Sequence, residues 1–181
     1  MRISKVTTKA GDKGETSLGD GKRVSKDHPN MVFLGDIDEL NSFLGFAITV
    51  CKEKILVQEL ESIQQDLFNM GGEASIPGSE MKLLSEDRIV FLEDSLEKMN
   101  EILSPLKEFI LPGGNEFSSR IHVVRSVCRR TERSCVSLRN TGVDVKNWLV
   151  YLNRLSDYFF VLARFSTQQE ERDETYWDRE N

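Results

Sequence analysis

With 181 residues, 30 acidic against 24 basic side chains and a net charge of -6, the chain is long enough to bury a sizeable core as one domain, 1–181, and too acidic for general nucleic-acid binding. Three cysteines, an odd number, give no disulfide framework, and no apolar run approaches a membrane span. The expectation is a soluble cytoplasmic protein with no membrane segment, organelle import from a longer precursor being left open.

Residues 1–26 stand apart from the rest. The stretch VTTKAGDKGETSLGDGKRVSK has no apolar periodicity and carries five Lys or Arg against three acids, so it reads as a loop and not as a core element. Two readings stay open. One is a disordered terminal arm. The other is a phosphate cradle, in which Gly11 and Gly14 admit backbone amides to an anion, Thr8, Thr16 and Ser17 offer hydroxyls, and Lys9 and Lys26 offer charge. A Walker A loop is excluded: Gly14 to Gly19 is followed by Asp20, and Gly21-Lys22 by Arg23, where that motif needs Gly-Lys-Ser/Thr.

Residues 27–166 read as a helical bundle. Asp27 and Pro29 look like a cap and a first-turn proline for a helix running through Met31, Leu34, Ile37, Leu40, Leu44 and Ile48. On it, GDIDELNSFLG sets Asp38, Ser42 and Gly45 along one line, flanked by Glu39 and Asn41; the acid is either an exposed surface group or the partner of an arginine elsewhere. A second helix, Ile55 to about Met70, presents Leu56, Leu60, Ile63, Leu67 and Met70, with Gly71-Gly72 expected to end it. After a Pro/Gly/Ser connection, Ser85-Glu86-Asp87 caps a third helix carrying Ile89, Leu92, Leu96, Met99 and Leu103.

The fourth helix follows a Pro-Gly-Gly turn at residues 112–114 and carries two stripes. Phe117, Ile121, Val124, Cys128, Cys135 and Leu138 recur at alternating steps of four and three, with Thr131 filling the gap, and form an inward seam of which the two cysteines are core thiols. Arg125, Arg129, Glu132 and Arg133 lie within about a 100° arc beside it. Residues 120–139 hold six arginines and one acid, against the trend of the whole chain. Guanidinium forks suit phosphate oxygens, so the strip is either an anion site or a structural salt-bridge network. A fifth helix, about Val145 to Ser166, buries Trp148, Leu152, Leu155, Phe159 and Leu162, while Asn153, Asp157 and Arg164 gather on the other side as plain surface or as site residues. Residues 167–181 read as a flexible acidic tail whose Tyr176 and Trp177 are able to fold onto a partner or ligand. With no β period and no internal repeat, the fold class is all-α, an antiparallel five-helix bundle with a Gly-rich N-terminal loop.

Familiar chemistries find no support in these residues. His28 and His122 lack the Glu-x-x-His spacing of di-iron bundles, and there is no nucleophile elbow or dinucleotide fingerprint. Positive charge, glycine and hydroxyls remain, in two places. They suit triphosphate binding and a nucleophile supplied from elsewhere.

In order, TKAGDKGETSLGDGKRVSKD, GDIDELNSFLG, FILPGG, HVVRSVCRRTER and YLNRLSDYFFVLAR resemble the signature segments of the ATP:cob(I)alamin adenosyltransferases of the propanediol-utilisation type, over residues 8–164. The resemblance implies a homotrimer with ATP and Mg²⁺ at each subunit interface, and transfer of the 5'-deoxyadenosyl group of ATP to the cobalt of reduced cobalamin with release of triphosphate. A non-catalytic helical adaptor or an ATP-binding regulator is the alternative. Carried over residue by residue, the resemblance assigns Thr8, Lys9, Ala10, Gly11, Thr16, Ser17 and Lys26 to ATP, together with Arg129, Arg130, Thr131, Glu132, Arg133 and Asn153. It pairs Asp38 with Arg125 across subunits and gives Phe109 the displacement of the lower cobalt ligand. Metal ligands are not assigned; a reductase and an adenosylcobalamin-dependent enzyme are the protein partners it suggests. Thr131 stands where the family more often has Ala, and Asn30 where it often has Arg.

Overall fold

The apolar spacings condense into five helices: α1 Pro29–Ile48, α2 Lys54–Ala74, α3 Asp87–Asn100, α4 Glu116–Arg139 and α5 Lys146–Gln169. The structure is a computed structural model, and it describes residues 7 and 9–180. Helix α4 lies between α1 and α5, with α2 packed on α1 and α3 on α5. The expected seam on α4 is the reason for this order. Phe117, Ile121, Val124, Thr131, Cys128, Cys135 and Leu138 are all buried, facing Phe33, Ile37, Leu40 and Leu44 of α1 and Tyr151, Leu152, Leu155, Phe159 and Leu162 of α5. Burial pushes the Cys128 and Cys135 thiols up, the nearby Glu132 adding to it, so both are inert core groups.

Two buried polar nodes fix the outer helices. Arg88 on α3 donates from Nε to both Asp66 oxygens at 2.9 and 2.7 Å, and Tyr151 on α5 donates to the same carboxylate at 2.8 Å, so three helices meet on one acid. Glu73 near the end of α2 accepts from the backbone N–H groups of Leu83 and Leu84 and from Trp148 Nε1 at 2.6 Å, which holds the 75–86 connection against α5.

Several local expectations are corrected. The N-terminal stretch contains an antiparallel hairpin, β1 Glu15–Ser17 with β2 Arg23–Ser25, in register Thr16↔Val24. Three-residue strands are too short to show alternation, and only Leu18 and Val24 are buried there. Pro29 is the first residue of α1 as expected, but the cap is His28, whose Nδ1 accepts from Asn30 N at 3.2 Å, and not Asp27. Helix α2 runs through Gly71-Gly72 to Ala74. The glycines serve packing: a Cβ on Gly72 would lie 3.2 Å from Leu83 Cδ1, and one on Gly71 would touch Ile37. Helix α3 stops at Asn100, before Leu103, and α5 continues to Gln169, beyond which Thr175–Trp177 lies against Phe109–Leu111. Arg164, grouped with surface polar residues by its spacing, is only 5% exposed.

Candidate functional site

The cationic strip forms on the open side of α4, next to α5. Arg129 and Arg133 are exposed, and Arg133 Nη1 donates to the Arg129 carbonyl at 3.1 Å. Among the described residues, neither side chain forms an ion pair with a carboxylate. One turn earlier, half-buried Arg125 lies over the Phe160 ring, 5.7 Å from its centroid, and its buried Nε has no hydrogen-bond partner among the described residues. Burial first, and the Arg129 charge second, disfavour the charged form of Arg125, although a guanidinium keeps its proton. On the α5 edge of the strip, Asn153 Nδ2 donates to Glu132 at 3.2 Å, and Asn153 Oδ1 accepts from Arg154 at 2.8 Å. These contacts link α4 and α5 along this edge of the strip.

Two residues assigned to the nucleotide lie elsewhere. Arg130 turns toward α1, where it pairs with Glu39 and reaches Asp36 at 3.9 Å. Thr131 is fully buried in the α1–α4 contact, its hydroxyl donating to the Asp36 and Val127 carbonyls at 3.1 Å each. Sequence spacing placed both in one motif with Arg129; the helical turn separates them. Asp38 is exposed on α1, and no ion pair within the chain joins it to Arg125.

The glycine loop makes a second concentration of donors. Thr8 lies outside the described residues. Gly14, at φ +81°, donates to the Gly11 carbonyl at 3.1 Å and accepts from Lys26 N at 2.9 Å, closing a turn that needs the left-handed region. A Cβ on Gly11 would fall 3.1 Å from Lys26 Nζ, so the missing side chain is what lets the ammonium lie over this turn. Lys9 also has positive φ, +59°. Thr16 is half-buried and Ser17 exposed, and exposed Ala10 offers its carbonyl to Arg23 Nη2 at 3.1 Å. Arg23 is the residue that sequence reasoning passed over: it also reaches Glu15 at 3.3 Å and Ser17 Oγ at 3.5 Å, tying the loop to both strands. Arg23 stands opposite Ser17 and reaches Glu15 diagonally, a pairing that three-residue strands leave no period in the sequence to reveal.

The hairpin docks away from the strip. Gly19 N donates to the Ser75 carbonyl at 2.8 Å, at the far end of α2, and among the described residues no hydrogen bond or ion pair links this loop to α4. A single chain therefore holds two cationic half-sites on different faces. The turn at Pro112 lies against the C-terminal end of α5, away from the hairpin, with Phe109 71% exposed and its ring centroid 6.3 Å from that of Trp177. Among the described residues no cluster of three or more His, Cys, Asp or Glu gathers to hold a metal ion.

Comparison with known proteins places these features in context. The family model described as cobalamin adenosyltransferase matches residues 6–166. A cobalamin adenosyltransferase of Cupriavidus metallidurans is 43% identical over 183 residues, covering 99% of this chain and 97% of the relative. The corrinoid adenosyltransferase MMAB of Homo sapiens is 39% identical, covering 93% and 71% respectively. Among solved structures, a variant PduO-type ATP:corrinoid adenosyltransferase from Lactobacillus reuteri complexed with cobalamin and ATP superposes with a TM-score of 0.91 at 33% identity, covering 97% of this chain and 100% of that one.

Proposed function

This chain belongs to the cobalamin adenosyltransferase family, and we propose that it transfers the 5'-deoxyadenosyl group of ATP to the cobalt of cob(I)alamin. The observation that carries the reading is the strip of Arg125, Arg129 and Arg133, three arginines to the one acid Glu132, in a net acidic protein. Such a strip suits a polyanion. In the reaction, the cobalt electron pair forms a bond to C5' as the C5'–O bond breaks, and triphosphate leaves with that bonding pair. Arg129 and Arg133 neutralise the leaving group, while Glu132 and Asn153 orient the nucleotide. The nucleophile belongs to the corrinoid, so no Ser, Cys or His of the chain is consumed.

The second half of the nucleotide site is the loop of Lys9, Ala10, Gly11, Thr16, Ser17 and Lys26, with Thr8 beside it in sequence. Its distance from the strip within one chain supports an assembly in which the loop of one copy covers the strip of the next. A homotrimer is the arrangement we propose. In it, Asp38 of one copy pairs with Arg125 of its neighbour, giving a partner to a buried Nε that lacks one. Arg130 and Thr131 act beneath the site by fixing α4 on α1. Glu132 is the strip's carboxylate that would hold a Mg²⁺ accompanying ATP, where the cation would help neutralise the phosphate charge. Phe109 packs at the lower face of the corrin, where displacing the lower ligand makes cob(II)alamin easier to reduce. The absence of any helix long and apolar enough to cross a membrane, among the described residues, and three free thiols agree with work in the reducing cytoplasm beside a reductase and an adenosylcobalamin-dependent acceptor.

The test is direct. Purified protein given MgATP and chemically reduced cobalamin should convert the cob(I)alamin spectrum to that of adenosylcobalamin and release one triphosphate per product. ATP binding without triphosphate release would favour a regulator instead. Arg125→Ala should weaken assembly, read by sedimentation, more than the exposed Arg139→Ala; equal effects would remove Asp38–Arg125 from the interface.

A further inference from the structure

The two ends of the turn that carries Phe109 are held by different parts of the molecule. At its C-terminal end, every anchor belongs to α4 or α5. Asn115 caps α4 through Ser118 N at 2.7 Å and donates to the Ser166 carbonyl at 2.9 Å; Ser118 Oγ donates to the Gly113 carbonyl at 2.8 Å. Gly114, at φ +98°, lies so close that a Cβ there would meet Thr167 Oγ1 at 2.3 Å. Among the described residues, no hydrogen bond joins the N-terminal end, Phe109–Leu111, to a helix. Its backbone bonds run to the C-terminal segment: Leu111 N donates to the Thr175 carbonyl at 2.8 Å, and Trp177 N donates to the Phe109 carbonyl at 2.7 Å, around an antiparallel bridge of Ile110 with Tyr176. The Phe109 ring then stands against the Trp177 ring.

That segment is itself tied to the bundle by one buried ion pair. Arg164 of α5 is 5% exposed and donates from Nε to Glu174 Oε1 at 2.6 Å and from Nη2 to Oε2 at 3.2 Å, with a further bond from Nη2 to the Ser104 carbonyl at 2.9 Å. The guanidinium thus grips both the segment that enters the Phe109 loop and the segment that covers it. A second pair, exposed Arg179 with half-buried Glu108 at 3.1 Å, is more open to solvent and more screened. We propose that Arg164 and Glu174 are positioning residues for adenosyl transfer: their ion pair fixes residues 174–177 as a strand along Phe109–Leu111 and so sets where the Phe109 ring stands. The inference rests on the corrinoid reading of Phe109. Neither residue touches substrate in this arrangement; both act through two backbone hydrogen bonds and the ring contact.

Trp177 is a built-in reporter, because the only other tryptophan is Trp148. In a Trp148→Phe background, Glu174→Gln should shift Trp177 emission to the red and raise its quenching by acrylamide. Glu174→Asp, which keeps the charge, should recover most of the native signal, and Arg164→Lys should fall between. On the activity side, Glu174→Gln should lower turnover with cob(II)alamin plus reductant by about 10-fold, while chemically prepared cob(I)alamin is used within about 2-fold of the parent and KM for ATP is unchanged. Unmoved Trp177 fluorescence would overturn the latch. A moved signal with an unchanged ratio of cob(II)- to cob(I)-dependent rates would overturn the positioning role. Failure of the parent protein with both cobalt states would instead sink the corrinoid reading, and the fluorescence arm would still decide whether the ion pair holds the strand. Circular dichroism identifies loss of fold, in which case Arg164→Lys, the milder change, supplies both measurements.

Discussion

Along α4, Arg129 and Arg130 differ by one helical step of 100°, and that step decides what each guanidinium meets. Arg130 turns to α1 and finds Glu39 and Asp36; Arg129 stays on the open face, with Arg125 one turn before it, Arg133 one turn after, and no ion pair with a carboxylate among the described residues. A guanidinium already paired with Glu39 has part of its donor fork committed within the chain. One with Arg125 and Arg133 a turn away on either side, and Glu132 the one acid of the strip, is stabilised by an arriving anion. The lesson is that a run of arginines is not a site; the acids that neighbouring helices supply, or withhold, divide it into a structural part and a reactive part.

The largest effect should come from the open member. Arg129→Ala removes a charge-assisted contact to a leaving phosphate, worth roughly 10² to 10³ in rate. The loss should appear with cob(I)alamin supplied ready-made, and the melting temperature should hardly move. Should Arg130→Ala cost as much in kcat/KM as Arg129→Ala, the division between the two faces would be wrong.

A smaller effect sharpens the comparison through pH. His122 lies one turn before Arg125, is 6% exposed, and has a buried Nδ1 without a partner. Burial, and then the Arg125 charge, lower its pKa to about 4, with Glu174 pulling weakly the other way. The unfolded chain therefore binds a proton near pH 6.5 that the folded chain refuses until about pH 4. Stability from this group is complete above pH 6.5 and is lost as pH falls toward 4. His122→Phe, which fills the place beside Phe160, should lose about 2 kcal/mol less than the parent between pH 7 and pH 4.5 in urea titrations. Equal losses would mean that burial and the Arg125 charge together do not hold His122 neutral in the folded chain.

Much of this was legible in the sequence because helical periodicity records burial. The α4 seam, the α5 stripe and the order of five helices follow from apolar spacing alone, and the concentration of arginine in an acidic chain marks the strip. What spacing does not record is the identity of a neighbour distant in sequence. Arg164 shares a helical face with Asn153 and Asp157 and so reads as surface, until residues ten further on return and bury it against Glu174. The same reason hides Arg130 and Thr131 inside a motif that looks uniform: Asp36 lies on another helix, and only the packing of α1 on α4 brings its carbonyl to Thr131. Short elements escape for a different cause, since three-residue strands have no period to detect and His28, not the acid beside it, has the geometry to cap α1.

The smallest expected effect belongs to the closed member of the pair, and it is the one that separates the two faces most cleanly. Arg130 and Glu39 are each 43% exposed, so solvent screens their attraction and the pair contributes about 0.5 to 1 kcal/mol, far below the value of a buried pair. Arg130→Ala should lower the melting temperature by roughly 1 to 3 °C at fixed protein concentration, since a chain of this size shifts by about 2 to 4 °C per kcal/mol. Added salt should shrink that difference, as expected for exposed charges. The ATP dependence should stay within about 3-fold of the parent, because the α1 acids, and not the nucleotide, occupy this guanidinium. Glu39→Ala offers the complementary measurement: it removes one acid from Arg130 while leaving Arg129 untouched. If Arg130 is structural, Glu39→Ala and Arg130→Ala should lose similar stability and the double variant little more than either. A double variant whose losses simply add would show that the two do not act as a pair, and an ATP requirement raised tenfold by Arg130→Ala alone would return Arg130 to the phosphate site.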